Sequence, residues 1–254
     1  MKQIWKQVKI NDKNFSRVHF LKIPTVQPLL IFFGIIVCSG FVACGGNDNN
    51  EDNKTEVPTA LAIDLGLPSG TQWANCNVGA TKPEDYGDYF AWGETKAKKE
   101  YSRTTYKWYS NVYNGLTKYN SFRELGTVDG KDELDLTDDA AYVNWGGNWQ
   151  TPSEEQIGEL LKECLWTWTQ LNGVNGYQVK SKTNGNSIFL PVGGWYGGIS
   201  LNHDGMYGYY WSRSLYKHHS TQAFFLYLYV TNVRQNRDLV RYHGYNVRPV
   251  RRQS

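Results

Sequence analysis

The stretch Ala223-Phe224-Phe225-Leu226-Tyr227-Leu228-Tyr229-Val230 is apolar or aromatic at every position. A strand with one wet face alternates apolar and polar residues. An unbroken run of this length therefore predicts a strand covered on both sides, at the centre of a sheet. Tyr209-Tyr210-Trp211-Ser212 before it and Tyr245-Asn246-Val247-Arg248-Pro249-Val250 after it read as two more strands. Further upstream, Tyr177-Gln178-Val179-Lys180-Ser181 and Ser187-Ile188-Phe189-Leu190 flank Asn184-Gly185-Asn186, the signature of a hairpin. Ala60-Leu61-Ala62-Ile63-Asp64-Leu65-Gly66 reads as a first strand and Leu67-Pro68-Ser69-Gly70 as a turn. Residues 71–78 alternate, which suits a half-buried second strand.

One helix stands out among these strands. Thr151-Pro152-Ser153-Glu154 has the form of a capping box with Thr151 as the cap, and Pro152 sits where no N–H is needed. Ile157, Leu160, Leu161 and Cys164 then recur as one apolar stripe. A shorter helix is predicted from Thr137-Asp138-Asp139-Ala140-Ala141, with its acids facing the positive end of the helix dipole. Between residues 84 and 122 many aromatics, among them Tyr86, Trp92, Tyr101, Tyr106, Trp108 and Tyr109, lie in loop-like surroundings. This region reads as a long excursion held by aromatic packing. No internal repeat of solenoid period is present. The fold class expected is α+β, in one domain over residues 60–254.

Composition agrees with short strands and many turns: the 254 residues are 40% hydrophobic and 15% aromatic, with 25 glycines, 10 tryptophans and 18 tyrosines. The formal charge of +3 is misplaced for nucleic-acid binding, because residues 1–43 hold six of the 27 basic residues and one of the 24 acids. Residues 44–254 then carry 21 bases and 23 acids, so the net charge gives no argument for nucleic acid once residues 1–43 are set aside.

The basic segment leads into Leu29–Ala43, a 15-residue run without a charge, followed by Cys44. A span of the bilayer needs roughly 20 helical residues, whereas this run has the length of a signal-peptide core. Its end resembles a bacterial lipoprotein signal, with Ala43 before Cys44, although Phe41 stands where such signals usually carry Leu. The reading is a lipoprotein-type signal over 1–43 and a lipid on Cys44. An uncleaved anchor and a soluble leader cut after Ala43 are the alternatives. Residues 44–59 hold little apolar surface and read as a flexible tether. Their acidic start resembles the stretch that sends some lipoproteins of the Bacteroides group to the outer face of the outer membrane.

Several blocks occur in the order of a known family. They are Leu65-Gly66-Leu67-Pro68-Ser69-Gly70-Thr71-Gln72-Trp73-Ala74, Gly87–Glu94, Asp138–Ala141, Asn144–Pro152, Asn184–Pro191, Tyr210-Trp211-Ser212 and Val247-Arg248-Pro249-Val250. The chain resembles the Fibrobacter succinogenes major paralogous domain (FISUMP) of surface lipoproteins, with departures at Gln150 and Arg213. That family is similar to C-type-lectin-like domains. The resemblance implies a twisted antiparallel sheet, about two helices and long ligand-facing loops. It carries no catalytic or ligand residue over.

Cys76 and Cys164 are the only thiols of the domain, and in an oxidising compartment they are a candidate disulfide. Closing a loop of 88 residues would contribute roughly 4–5 kcal/mol; two buried free thiols are the alternative. Formylglycine-generating enzymes share the lectin-like fold but use paired cysteines late in the chain, and no cysteine follows Cys164 here. No metal is expected. The chain lacks His-Glu-x-x-His, the adjacent His218 and His219 cannot both point one way on a strand, and Asp129–Asp135 lacks the EF-hand spacing. The calcium-lectin triplets Glu-Pro-Asn and Gln-Pro-Asp are also missing. No cofactor is expected, and no Gly-x-Ser-x-Gly or phosphate loop is present. Asp85, Asp88, Glu94, Asp138 and Asp139 are the acids from which a glycosidase pair would have to come, at a separation of roughly 5–10 Å.

Recognition is the remaining role. Residues 193–208 form a glycine-rich stretch carrying Trp195, Tyr196, His203 and Tyr207. Tyr216 and His218, and Arg234 and Arg237, lie in the turns on either side of the central strand. Aromatics beside polar groups in loops give contact area at low entropic cost. The function expected is a non-enzymatic, lipid-anchored surface module that binds a protein or glycan through loops 195–208, 214–221 and 232–243. A structural subunit of a surface assembly and a carbohydrate-active enzyme are the alternatives.

Overall fold

The computed structural model of the protein describes residues 60–236 and 240–252. The expected signal sequence, the tether with Cys44, and Arg237 lie outside the described residues. The elements run β1 (Ala62–Asp64), β2 (Thr71–Ala74), β3 (Tyr109–Ser110), β4 (Gly115–Leu116), α1 (Ala140–Trp145), α2 (Glu154–Glu163), β5 (Cys164–Leu171) and β6 (Val174–Ser181). They continue as β7 (Ser187–Pro191), β8 (Trp195–Gly197), β9 (Ser200–Asn202), β10 (Tyr207–Leu215), β11 (Ala223–Tyr229), β12 (Asn232–Asn236) and β13 (Val250–Arg252). The class is α+β: small antiparallel sheets with two helices.

The two ends of the domain meet in one sheet, ordered β1-β2-β13, where Trp73 is the partner of both Ile63 and Val250. A second sheet is ordered β5-β6-β7. Its first two strands are joined by Asn172-Gly173, both at positive φ (49° and 85°), the conformation that matches a tight hairpin to the strand twist. The third, β10-β11-β12, has the apolar run at its centre, as its composition predicts. That strand serves two cores. Leu226 and Leu228 pack with Ile157 and Leu160 of α2, with Val179 and Leu190 of the second sheet, and with Trp73. Ala223 and Phe225 instead join Phe90, Trp92, Tyr119, Trp211 and Tyr245. Burying one such side chain contributes roughly 2 kcal/mol, so both faces of β11 hold the fold.

Several expectations are corrected. The long helix begins two residues later than predicted: Ser153 is its cap and Gln156 closes the box. Thr151 is diverted, because its hydroxyl donates to Asp139 at 2.7 Å. Asp139 in turn caps α1 through Ala141 N and Tyr142 N, while residues 136–138 form only a single 3-10 turn. Strand β2 ends at Ala74, and of the stretch 245–250 only Val250 enters a strand. Tyr245 and Asn246 make isolated bridges to Phe90 and Tyr210.

For the cysteines the structure shows the second of the two alternatives. Both thiols are free and buried. Cys164 ends the apolar stripe of α2 inside the first core, where burial pushes its pKa up to about 11. Cys76 follows β2 in a turn, its Sγ directed at Ala80 O at 3.5 Å, and burial raises its thiol too.

Candidate functional site

The stretch between Gly93 and Asp135, which overlaps the excursion expected over residues 84–122, has few regular hydrogen-bond ladders, so side chains must satisfy its backbone. Arg241 does much of this. It is 1% exposed, and its Nε donates to the Tyr106 hydroxyl at 3.1 Å. Its Nη1 donates to Tyr119 O (2.7 Å) and Ser220 O (2.8 Å), and its Nη2 to Lys118 O (3.2 Å). The guanidinium lies 5.1 Å from the Trp92 ring and 5.4 Å from that of Tyr106. Among the described residues no carboxylate forms an ion pair with it. A cation removed from water is held here by carbonyl oxygens, a hydroxyl and ring faces alone.

Over this arginine the excursion closes a cavity of about 290 Å³. Tyr106, Tyr109 and Tyr242 supply ring surface, and Leu116 and Leu125 supply apolar wall. Arg103, Arg241, Asn114 and Glu124 bring the polar groups. Tyr106 is fixed by donating to Trp92 O at 2.6 Å, and burial raises its hydroxyl pKa. The hydroxyl of Tyr109 donates to Asn114 Oδ1, and the Arg103 guanidinium sits 5.0 Å over its ring. One wall depends on Gly126, at φ 128°, because a Cβ there would collide with the backbone of Leu116. Val112 and Tyr113, 86% and 85% exposed, stand on the turn between β3 and β4.

The residues singled out from the sequence fall elsewhere. Residues 195–202 are not a free loop but the β8–β9 hairpin. Trp195 is half-buried against the second core, 4.5 Å from the His243 ring. Tyr196 is wedged between Tyr89 (4.9 Å) and Tyr101 (5.5 Å). Tyr207 stacks on Tyr229 at 4.7 Å with exposed His203 at 5.1 Å, and it also packs toward the core. Arg234 is on β12 rather than in a loop, 5.4 Å over the Tyr227 ring. Tyr207, Tyr227, Tyr229 and Arg234 thus share one half-exposed face of the third sheet. Tyr216 and His218 line a separate polar groove of about 470 Å³ with Asp132, Glu133 and Glu155. Among the described residues of the three loops expected to face a ligand, Thr221, Arg241 and Tyr242 line the tyrosine cavity.

Four of the five acids considered for hydrolysis, all but Asp88, have structural occupations. Asp138 accepts from Lys118 (2.6 Å), Lys107 (3.0 Å) and the Tyr119 hydroxyl (2.7 Å). Burial works against its ionisation, yet these three partners hold its pKa below the usual carboxylate value. Asp139 is shifted the other way, because burial outweighs the donors from Thr151 and the helix start. Glu94 pairs with Lys98 at 2.8 Å and accepts Lys107 N at 2.7 Å. Asp85 accepts from Lys82 N at 3.1 Å.

Among the described residues no group of three or more His, Cys, Asp and Glu could hold a metal ion, and no helix is long and apolar enough to cross a membrane. No family model, curated protein or solved structure matches the chain.

Proposed function

We propose that this chain is a lipid-anchored protein of the cell envelope, held through Cys44 on the outer membrane and presenting a non-enzymatic binding domain of C-type-lectin-like build at the cell surface. Its ligand is a glycan or a surface protein. The observation that supports this reading is the tyrosine cavity. A long, irregular excursion is ordered by a buried arginine and encloses ring surface beside polar groups. Binding sites are concave, largely preformed and lined by aromatics with a few placed polar groups.

The reading is tested with the chain lacking residues 1–43 on a glycan and surface-protein array. Saturable binding of at least one class is the expected outcome, and an empty array contradicts the binding role. Mass spectrometry of the cell-extracted protein checks the anchor. It should show an acylated Cys44 at the N-terminus, and an intact, unacylated N-terminus would remove the membrane attachment from the account.

A further inference from the structure

We infer that the tyrosine cavity takes one carboxylate-bearing sugar unit. This rests on the reading of that cavity as the binding site. Its charge balance comes first. Two guanidinium groups, Arg103 and Arg241, line it against one carboxylate, Glu124.

Neither arginine has an ion-pair partner among the described residues. The bonds of Arg241 to Tyr106, Tyr119, Ser220 and Lys118 use four of its five N–H donors, so one on Nη2 has no protein partner among the described residues. Arg103 is exposed, and the contact that holds it is the face of Tyr109 at 5.0 Å. A buried cation compensated only by dipoles favours an anion that enters its cavity, and a planar guanidinium matches a carboxylate in particular.

The remaining lining selects what carries the carboxylate. Tyr109 and Tyr242 are half-buried, so each leaves ring surface on which the C–H face of a pyranose can lie. Asn114 and Glu124 are acceptors and donors of the kind that hydroxyl groups need. A volume of about 290 Å³ is at the small end for ligand sites and suits a single ring. A bare inorganic anion would leave the tyrosine surface uncovered. A neutral sugar would leave both guanidinium groups without an anion.

The test uses the chain lacking residues 1–43, titrated by NMR or calorimetry with two matched probes. One is an oligosaccharide ending in glucuronic acid, the other the same oligosaccharide ending in glucose. The acidic probe should bind at least about tenfold tighter at low salt, with the gap narrowing as NaCl rises from about 50 to 500 mM. Arg103→Gln, a change at an exposed side chain, should remove most of the preference while leaving the melting temperature unchanged. Equal affinity for the two probes overturns the inference, as does a preference that survives in Arg103→Gln. If neither probe binds while an array ligand is still lost in Tyr109→Ala, the sugar-acid assignment fails and the cavity remains the binding site. If Tyr109→Ala leaves every ligand bound as before, the parent reading fails with it.

Discussion

His243 shows how burial sets chemistry at a single residue. Its ring lies 4.5 Å from Trp195, 5.1 Å from Tyr242 and 6.3 Å from Tyr245, and its Nδ1 is buried with no hydrogen-bond partner. Burial holds its pKa down at about 4, so the imidazole is neutral at pH 7. The unfolded chain takes up the proton near pH 6.5 and the folded one only near 4, so the native state loses stability as pH falls through that window. His243→Phe keeps a ring in the stack and removes the titration. Its melting temperature should stay within about 2 °C of the wild type at pH 7 and exceed it by several degrees at pH 4.5. Parallel curves across the window would contradict the assignment. Neither this shift nor the opposite shifts of neighbouring Asp138 and Asp139 can be read from local sequence, because each depends on partners brought in by other segments.

At the scale of elements, periodicity is legible where one segment fixes the outcome and fails where several compete. The central strand β11, the β6–β7 hairpin and the apolar stripe of α2 all follow their sequence patterns. The cap of α2 does not, since Thr151 and Ser153 both fit a box and Asp139 claims Thr151. Mixed Trp and Thr spacing hides strand β5, although Asn172-Gly173 after it is a hairpin signal. Strand β12 is polar and pairs only because β11 offers an edge. The turn carries a direct prediction. Gly173 has φ 85° and no atom near enough to crowd a methyl group there, so Gly173→Ala meets backbone strain without a clash. It should cost about 1–2 kcal/mol in denaturant unfolding. A loss below about 0.3 kcal/mol would mean that the turn does not set the β5–β6 register.

For the molecule as a whole, the sequence places the aromatics of the excursion but not the residue that organises them. Arg241 carries no local signal. Its role appears only when residues 106, 118, 119 and 220 are brought around it. Arg248 acts alike, joining Asn77 Oδ1 (2.7 Å), Ala74 O (3.1 Å) and Phe189 O (2.9 Å). Two buried cations thus tie distant segments together, while Trp195 and Tyr207 pack against the second core. The proposed binding surface is therefore the tyrosine cavity rather than the glycine-rich hairpin.

The measurement that tests this most directly is the affinity of an array-identified ligand for Tyr109→Ala and Tyr207→Ala, with each variant shown to melt within a few degrees of the wild type. The cavity account predicts at least a tenfold loss in Tyr109→Ala and less than a twofold change in Tyr207→Ala. The reverse pattern would return recognition to the half-exposed face of the third sheet and contradict the account.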